Sequence, residues 1–554
     1  MKTLFRGLLL CAALVAAAGC SKREDVAAVP TAPAKVAAAP FVVLATSDLR
    51  DVQPLEQMAV QATGVNVRFR FGGTMESTEA VLTGHANAHA AWFANAKYLL
   101  SDQQGQSRVK LQEKIMLSPI VVGVSESAAK SLGWDRPDVA AKVSWRTIAA
   151  AAATGKLFYG MSNPATSNQG FMSLMGVVSA ASDKAEALTA EDVDRGAIAQ
   201  FLKGYKLVGD NSAYLTEKFI EGQGPRLNAY VNYESLLLSL NASGKLREKL
   251  VLVYPHEGVA TADYPLMLLD DARRDDYKKV AAWMQGKEAQ TWLARQTLRR
   301  PVNAEVAASV VDVLPSPGLQ IELPFSPDRK LADGLVESYL NEFRTPIAST
   351  FVLDVSGSMG RDGRLGQLVK AVSYISGADG SMTGRIAKLT SRERVWMMSF
   401  SNEPNAAVMF EVPAGKARSK GVEAVADSDA KLKTMDGVRE YAEGLRADGN
   451  TALYDSIFVA LQNMAEERKK NPGYQYSVVG FTDGENNRGR DFEAFKRDYA
   501  QLPEAVRAIP VFMVLFGEGK EKELKSLISV TGGKIFDART TPLYSVFKDI
   551  RAYQ

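Results

Sequence analysis

The chain has 554 residues, too many for a single hydrophobic core, so about three packing units are expected. With 46% hydrophobic and 23% charged residues, its composition is that of an ordinary globular protein. The formal net charge is +3, and 64 basic residues face 63 acidic ones once Lys2 and Arg6 are set aside. That balance gives no reason to expect a nucleic-acid partner or bulk electrostatic attraction to a membrane.

Lys2 and Arg6 precede an apolar run, Leu8 to Ala18, which reads as a secretory leader. The two cysteines, Cys11 and Cys20, both fall in the first twenty residues, so the folded domains contain neither thiol chemistry nor a disulfide. The leader ends Ala17-Ala18-Gly19-Cys20, which resembles a bacterial lipoprotein processing site. By that resemblance residues 1–19 are removed. Cys20 then carries the lipid, and its several acyl chains (palmitate among them) suffice for a stable anchor. An ordinary leader cut at an Ala-x-Ala site is the alternative. Ser21 follows Cys20, which by the sorting rule of such lipoproteins implies an outer membrane, facing the periplasm, if the cell is Gram-negative. Residues 20–40 form an Ala/Pro tether, with Pro30, Pro33 and Pro40 biasing it toward extended conformations.

From Phe41 onward strands and helices alternate. Strands are expected at Phe41–Ala45, Val65–Phe71, Ile120–Val124 and Leu250–Tyr254. Helices are expected at Ser77–Leu82, at Thr147–Ala153 after Ser144, and at Phe171–Ala180 after the loop Asn163 to Asn168. Ser47, Thr74 and Ser167 each sit on a loop before such a helix, where free N–H groups and the positive dipole end can hold an anion. The segments VVLATSDL, RFRFGGTMES, VSWRTIAAAAATGKLFYGMSNPATSNQG and NAYVNYES, in this order, resemble bacterial extracellular solute-binding proteins, nearest the molybdate-binding type. The resemblance covers residues 41–303 and implies a two-lobed module of the periplasmic-binding-protein kind. Ser47, Thr74, Ser167 and Tyr233 are then the candidate ligand-binding residues. Asp48 and Glu76 depart from an oxyanion site and point to a cationic or zwitterionic ligand instead. Plain helix caps with no small ligand remain the alternative.

Residues 304–345 read as a connector, with four prolines and a polar helix near Lys330 to Phe343. From 346 to 554 strands are expected at Ile347–Leu353, Arg394–Phe400, Ser477–Thr482 and Pro510–Phe516. Helices are expected at Leu432–Leu445, Leu453–Glu467 and Lys520–Ser529. Leu365, Leu368, Val369, Val372 and Ile375 have helical spacing and should face the sheet. The layout is a doubly wound α/β domain, whose ligands bind at the carboxyl ends of the strands.

Asp354, Ser356 and Ser358 leave the tip of the first strand at alternate positions, Thr451 precedes a helix, and Asp483 ends a later strand. Two carboxylates and three hydroxyls suit a hard cation that keeps some of its water. The set, in the frames DVSGS, GNTAL and GFTDG, resembles the metal-ion-dependent adhesion site of von Willebrand factor A domains. The resemblance implies Mg²⁺ (or Mn²⁺ or Ca²⁺) held by Asp354, Ser356, Ser358, Thr451 and Asp483. One coordination position remains for an Asp or Glu carboxylate of a protein partner.

An aspartyl-phosphate mechanism would want a second acid two residues after Asp354, where Ser356 stands. His85 and His89 are four apart but lack a third zinc ligand, and read as surface or packing residues. No P-loop, dinucleotide fingerprint or nucleophile elbow is present. The expected protein is therefore a non-enzymatic, lipid-anchored envelope protein, an adhesion or scaffold protein that binds partners through a divalent metal and carries a solute-binding sensor module. The rival readings are the solute receptor of an ABC-type importer and, third, a metal-dependent hydrolase.

Overall fold

A computed structural model describes residues 39–182, 184, 187–209, 212–314, 321–416, 418–517, 521–541, 546–547 and 549–551. The leader, Cys20 and nearly all of the tether lie outside these residues. None of the described helices is long and apolar enough to cross a membrane.

Two sheets build the first module. In one, the strands run Val67–Gly72, Phe41–Thr46, Ala90–Trp92, Pro265–Leu268 and Leu111–Lys114 across the sheet. Phe41–Thr46 is parallel to both of its neighbours. The second sheet is centred on Met116–Ser125, whose ten residues are almost all buried, and on Ala229–Tyr233, paired antiparallel to it. Tyr159–Ser162 and Tyr205–Gly209 extend it on one side. The chain passes between the sheets at Lys114–Met116 and at Ala262–Pro265, and returns to the second sheet at Arg300–Pro301, which divides the module into two lobes with a cleft between them.

The expected elements are present, with shifted ends. The strand expected at 65–71 is Val67–Gly72, and the helix expected at 77–82 is Thr74–Thr83. The helix expected at 171–180 starts at Asn168. These starts lie in Gly- and Asn-containing turns, where sequence pattern locates boundaries poorly. Ser144 does cap its helix: its Oγ accepts a hydrogen bond from the Thr147 N–H at 2.8 Å.

The third sheet lies in the C-terminal part. Its order is Val408–Glu411, Arg394–Phe400, Ile347–Asp354, Gln475–Thr482, Val511–Leu515, Gly533–Asp537. All pairings are parallel except that of the short edge strand Val408–Glu411. Buried apolar runs such as Ile347–Asp354 are what a parallel sheet covered on both faces requires. The first strand of this region lies between the second and the fourth, so the strand order reverses there. The reversal opens a crevice at the carboxyl ends of Ile347–Asp354 and Gln475–Thr482. Leu368, Val372 and Ile375 are fully buried, while Leu365 and Val369 are half-buried. Two strands had no sequence signal: Val408–Glu411 is largely exposed, and Gly533–Asp537 opens on a glycine and carries Lys534.

The stretch 304–345 is packed rather than extended. Leu331, Leu335, Tyr339 and Leu340, in and just after the helix Arg329–Ser338, share one core with the first module and with Ile386 and Val422. Polar contacts run the same way to both lobes. Tyr98 donates from its hydroxyl to Asp333 at 2.9 Å, and the Thr383 N–H donates to Glu79 at 3.1 Å. Arg195 pairs with Glu342 at 2.5 Å and donates to the Gly421 carbonyl at 2.9 Å. Residues 40–554 thus form one body.

Candidate functional site

Two places gather the residues that the sequence singles out. The first is the cleft. Ser47, Thr74, Ser167 and Tyr233 line one pocket of about 30 Å³, together with Asp48, Gly73, Thr166, Asn168 and Gln169. Ser47, Asp48, Gly73 and Thr74 come from the first lobe, and the others from the second. Glu76 is not among the lining residues.

The hydroxyls do not serve as helix caps. The N-cap of Thr74–Thr83 is Gly73, which has no side chain, and Ser167 precedes its helix without a side-chain cap bond. Thr46 precedes the 3₁₀ turn Ser47–Val52, again with no cap bond. The N-cap residues of both α-helices therefore give the first-turn N–H groups no side-chain acceptor. Thr166 is 4% exposed, and its Oγ1 has no partner among the described residues. The Asp48 Oδ2 is likewise buried, and the buried Thr46 hydroxyl acts on the same carboxyl. Burial raises the Asp48 carboxyl above the usual carboxylate range, opposed by the Arg299 charge. Arg299 itself is engaged elsewhere, donating to the Asp51 carboxylate at 2.6 Å and to the Asp48 backbone carbonyl at 2.7 Å. The Tyr233 hydroxyl accepts from Asn168 Nδ2 at 2.9 Å, and burial holds the phenol protonated far above its ordinary range. Its own proton remains available to a ligand.

Gly170 lets the start of the helix Asn168–Ala180 pack closely on the backbone of Ser162 and Asn163. A Cβ there would lie 2.2 Å from the Ser162 carbonyl oxygen and 2.8 Å from the Asn163 carbonyl carbon, both backbone. Gly170→Ala is expected to destabilise the protein by about 1–3 kcal/mol through overpacking, and to weaken any cleft ligand by displacing Ser167 and Asn168. Denaturant melts of the variant check this; a wild-type midpoint would show that the helix start has room to shift.

The second place is the crevice of the C-terminal sheet. Asp354, Ser356, Thr451 and Asp483 are buried and Ser358 is half-buried. Ser358 Oγ donates to Asp483 Oδ1 at 3.0 Å, and the Ser356 and Ser358 hydroxyls lie 3.1 Å apart. The Ser356 N–H and Thr482 Oγ1 hold the two oxygens of Asp354, at 2.8 and 2.6 Å. The Thr451 loop is tied in by backbone bonds: the Gly357 N–H donates to the Gly449 carbonyl at 2.9 Å, and the Asp448 N–H to the Val355 carbonyl at 2.8 Å. Gly449 has φ +81, the left-handed conformation that glycine adopts without strain. Burial pushes the Asp354 carboxyl up to about 6, against the hydrogen bonds from Ser356 and Thr482, and Asp483 adds to the rise.

Sequence reasoning missed two members. Thr482 reads in the sequence only as part of a strand, although its place directly before Asp483 is a usable signal. Arg364 had none. Its Nη1 donates to Asp483 Oδ2 at 2.8 Å and its Nη2 to Asp362 at 3.1 Å. A guanidinium thus stands among the acidic oxygens as the local positive charge, in the place where a metal cation drawing on Asp483 would compete with it. Among the described residues no group of three or more His, Cys, Asp and Glu could hold a metal, so any cation here would lean on hydroxyl oxygens. His89 is a packing residue: its Nδ1 accepts from the Val42 N–H at 2.9 Å, and its ring stacks on Phe41.

Residues 43–299 match the family of bacterial extracellular solute-binding proteins. The match supports a solute-binding domain of mixed α/β, two-lobed form over those residues. Among solved structures, the sulfate-binding protein SubI from Mycobacterium tuberculosis H37Rv is 16% identical, covering 50% of this chain and 92% of its own, with a TM-score of 0.38. A ferric binding protein from Campylobacter jejuni is 12% identical, covering 54% and 96%, with a TM-score of 0.41. The periplasmic binding protein AfuA from Actinobacillus pleuropneumoniae, solved with fructose-6-phosphate, is 12% identical, covering 55% and 98%, with a TM-score of 0.41. No curated protein matches the chain.

Proposed function

We propose that the protein is an envelope receptor for a small hydrophilic solute, of the kind that serves an ABC-type importer, and that it binds rather than transforms its ligand. The family match at residues 43–299 favours this reading over adhesion as the main role. The observation that carries it is the meeting of Ser47, Thr74, Ser167 and Tyr233, from both lobes, around one pocket whose hydroxyls are not used as caps. Two helix N-termini and a protonated phenol supply donors, and Asp48 supplies an acceptor. A pocket of about 30 Å³ holds roughly two waters, so the lobes must part to admit a solute. A solute at about a hundredfold its dissociation constant should add ~2.7 kcal/mol of stability. A thermal-shift screen of oxyanions, amino acids and short peptides on the full chain tests this; no shift with any of them counts against a receptor.

A second reading concerns the C-terminal half. We infer a von Willebrand A-type domain there, in which Asp354, Ser356, Ser358, Thr451 and Asp483 bind Mg²⁺, with Mn²⁺ or Ca²⁺ as substitutes, and present it to a carboxylate of a protein partner. The doubly wound strand order and the meeting of all three loops at its reversal point support it. Titration with Mg²⁺ should show one site that Asp354→Ala abolishes, and capture of a membrane partner should be lost in EDTA and restored by Mg²⁺. Partner capture unchanged in EDTA would defeat the adhesion reading. The lipid anchor at Cys20 belongs to the same proposal: Cys20→Ser should release the protein from membranes, and membrane retention of that variant after a salt wash would count against it.

A further inference from the structure

The two helices whose N-termini face the cleft are both gripped, farther along, by the chain beyond residue 320. Thr74–Thr83, of the first lobe, carries Glu79, whose carboxylate accepts from the Thr383 N–H at 3.1 Å and from the Thr383 hydroxyl at 2.5 Å. Met75, next to the pocket residue Thr74, packs on the core that contains Leu340 and Ile386. Asn168–Ala180, of the second lobe, meets the same stretch of chain. The Phe171 ring lies 6.4 Å from that of Phe325, and the Ser179 hydroxyl donates to the Pro324 carbonyl at 3.2 Å. Tyr98 of the first lobe joins all three pieces. Its ring meets the Phe171 ring edge-on at 5.7 Å, and its hydroxyl donates to Asp333 at 2.9 Å and accepts from Arg329 at 3.0 Å. Second-lobe attachment is broader. It adds the Arg195–Glu342 pair and backbone bonds from Val422 to Ala190 and from Leu323 to Val259, each 2.9 Å. Two further first-lobe contacts, Lys97 with Glu322 and Asp102 with Arg329, are partly exposed ion pairs of little strength.

We propose that the C-terminal half is a latch on the solute-binding module: it moves with the second lobe and holds the first lobe shut through Glu79–Thr383 and Tyr98–Asp333, and a solute enters only when these contacts let go. The inference rests on the receptor reading and adds what gates its cleft. The pocket of about 30 Å³ admits no solute unless the lobes part. Parting about the crossings at Lys114–Met116, Ala262–Pro265 and Arg300–Pro301 carries Thr74–Thr83 away from Asn168–Ala180. A body that grips both helices must then release one of them, and the first lobe is held by fewer bonds. Those bonds are of the stronger kind, because each has a carboxylate as acceptor, and Thr383 is only 3% exposed. The latch sets how fast a solute enters and leaves. It does not choose the solute, since neither Glu79 nor Tyr98 lines the pocket.

The test measures lobe separation with no solute present. Cys11 and Cys20 are the only cysteines, so a full chain carrying Cys11→Ser and Cys20→Ser takes spin labels at Gln61→Cys on the first lobe and Lys245→Cys on the second, both exposed positions. Pulsed electron double resonance reads the distance between the labels. This background should show one main distance. Glu79→Ala and Tyr98→Phe each remove a hydrogen bond involving a carboxylate. Each should raise the ratio of open to closed molecules by at least ~10-fold, and the pair by ~100-fold, seen as a second distance. Thr383→Val removes the hydroxyl from the other side of the latch. It should act in the same direction, and it keeps the test decisive if the double variant fails to fold. Glu56→Ala is the control: Glu56 accepts the Phe69 N–H at 2.6 Å within the first lobe, so its loss should leave the distance unchanged. A single unchanged distance in the well-folded double variant would overturn the latch. So would a second distance as populated in Glu56→Ala as in Glu79→Ala. Neither result touches the receptor reading. Opening in the double variant without any solute shifting its thermal midpoint would keep the latch and remove the receptor.

Discussion

Replacing Glu393 with Gln is expected to destabilise the protein by about 3–5 kcal/mol, the range for stripping the counter-charge from a buried ion pair. Glu393 is 1% exposed and lies between two arginines, Arg344 at the end of the connecting segment and Arg551 near the C-terminus. Both guanidiniums donate to its Oε1, and Thr390 Oγ1 donates to the same atom at 2.8 Å. Burial pulls the Arg344 guanidinium down to about 10; Glu393 opposes the fall and Arg551 adds to it. Without the carboxylate, two buried cations face each other with no anion between them. Gln keeps the shape and an acceptor oxygen, so the loss reports charge rather than packing. The thermal midpoint of a body of this size should fall by roughly 3–5 °C. Thr390→Val, which removes one neutral hydrogen bond from the same cluster, should cost only about 1 kcal/mol. Equal midpoints for Glu393→Gln and Thr390→Val would mean that solvent reaches the pair.

Arg364→Gln should tighten Mg²⁺ and Mn²⁺ binding at the C-terminal crevice by ~10- to 100-fold, the equivalent of the ~1.5–3 kcal/mol in a hydrogen bond to a charged group. Arg364 Nη1 lies 2.8 Å from Asp483 Oδ2, and the side chain is only 14% exposed. A metal drawing on Asp483 must displace that guanidinium or bind beside a like charge. Gln removes the competitor and keeps a polar side chain. Calorimetry with each cation reads the effect directly, without a partner protein. Unchanged or weaker binding in Arg364→Gln would mean that the guanidinium orients Asp483 for the cation instead of competing with it. Absence of binding in both forms would remove the cation reading itself.

Features that adjacent residues encode are legible from the chain alone. Continuous apolar runs marked Phe41–Thr46, Ile347–Asp354, Arg394–Phe400 and Val511–Leu515, because a strand covered on both faces must be apolar along its length. Helical spacing marked Leu368, Val372 and Ile375 as inward. Asp354, Ser356 and Ser358 at alternate positions were legible for the same local reason, as were the loops carrying Ser47, Thr74 and Ser167. The remaining features depend on contacts between distant segments. Ser144 and Ser167 both hold the extended backbone of an N-cap, yet only Ser144 bonds its helix, so what separates them is the packing around the side chain and not the local sequence. Arg364 reaches Asp483 across more than a hundred residues of sequence, and no local pattern encodes such a meeting. The segment 304–345 looked like a linker because its prolines and charges are local facts. Its Leu331, Leu335 and Leu340 are buried only because two lobes and a third sheet come together around them. Local pattern sets which face of an element is apolar, but the partner that covers that face is chosen by packing over the whole chain.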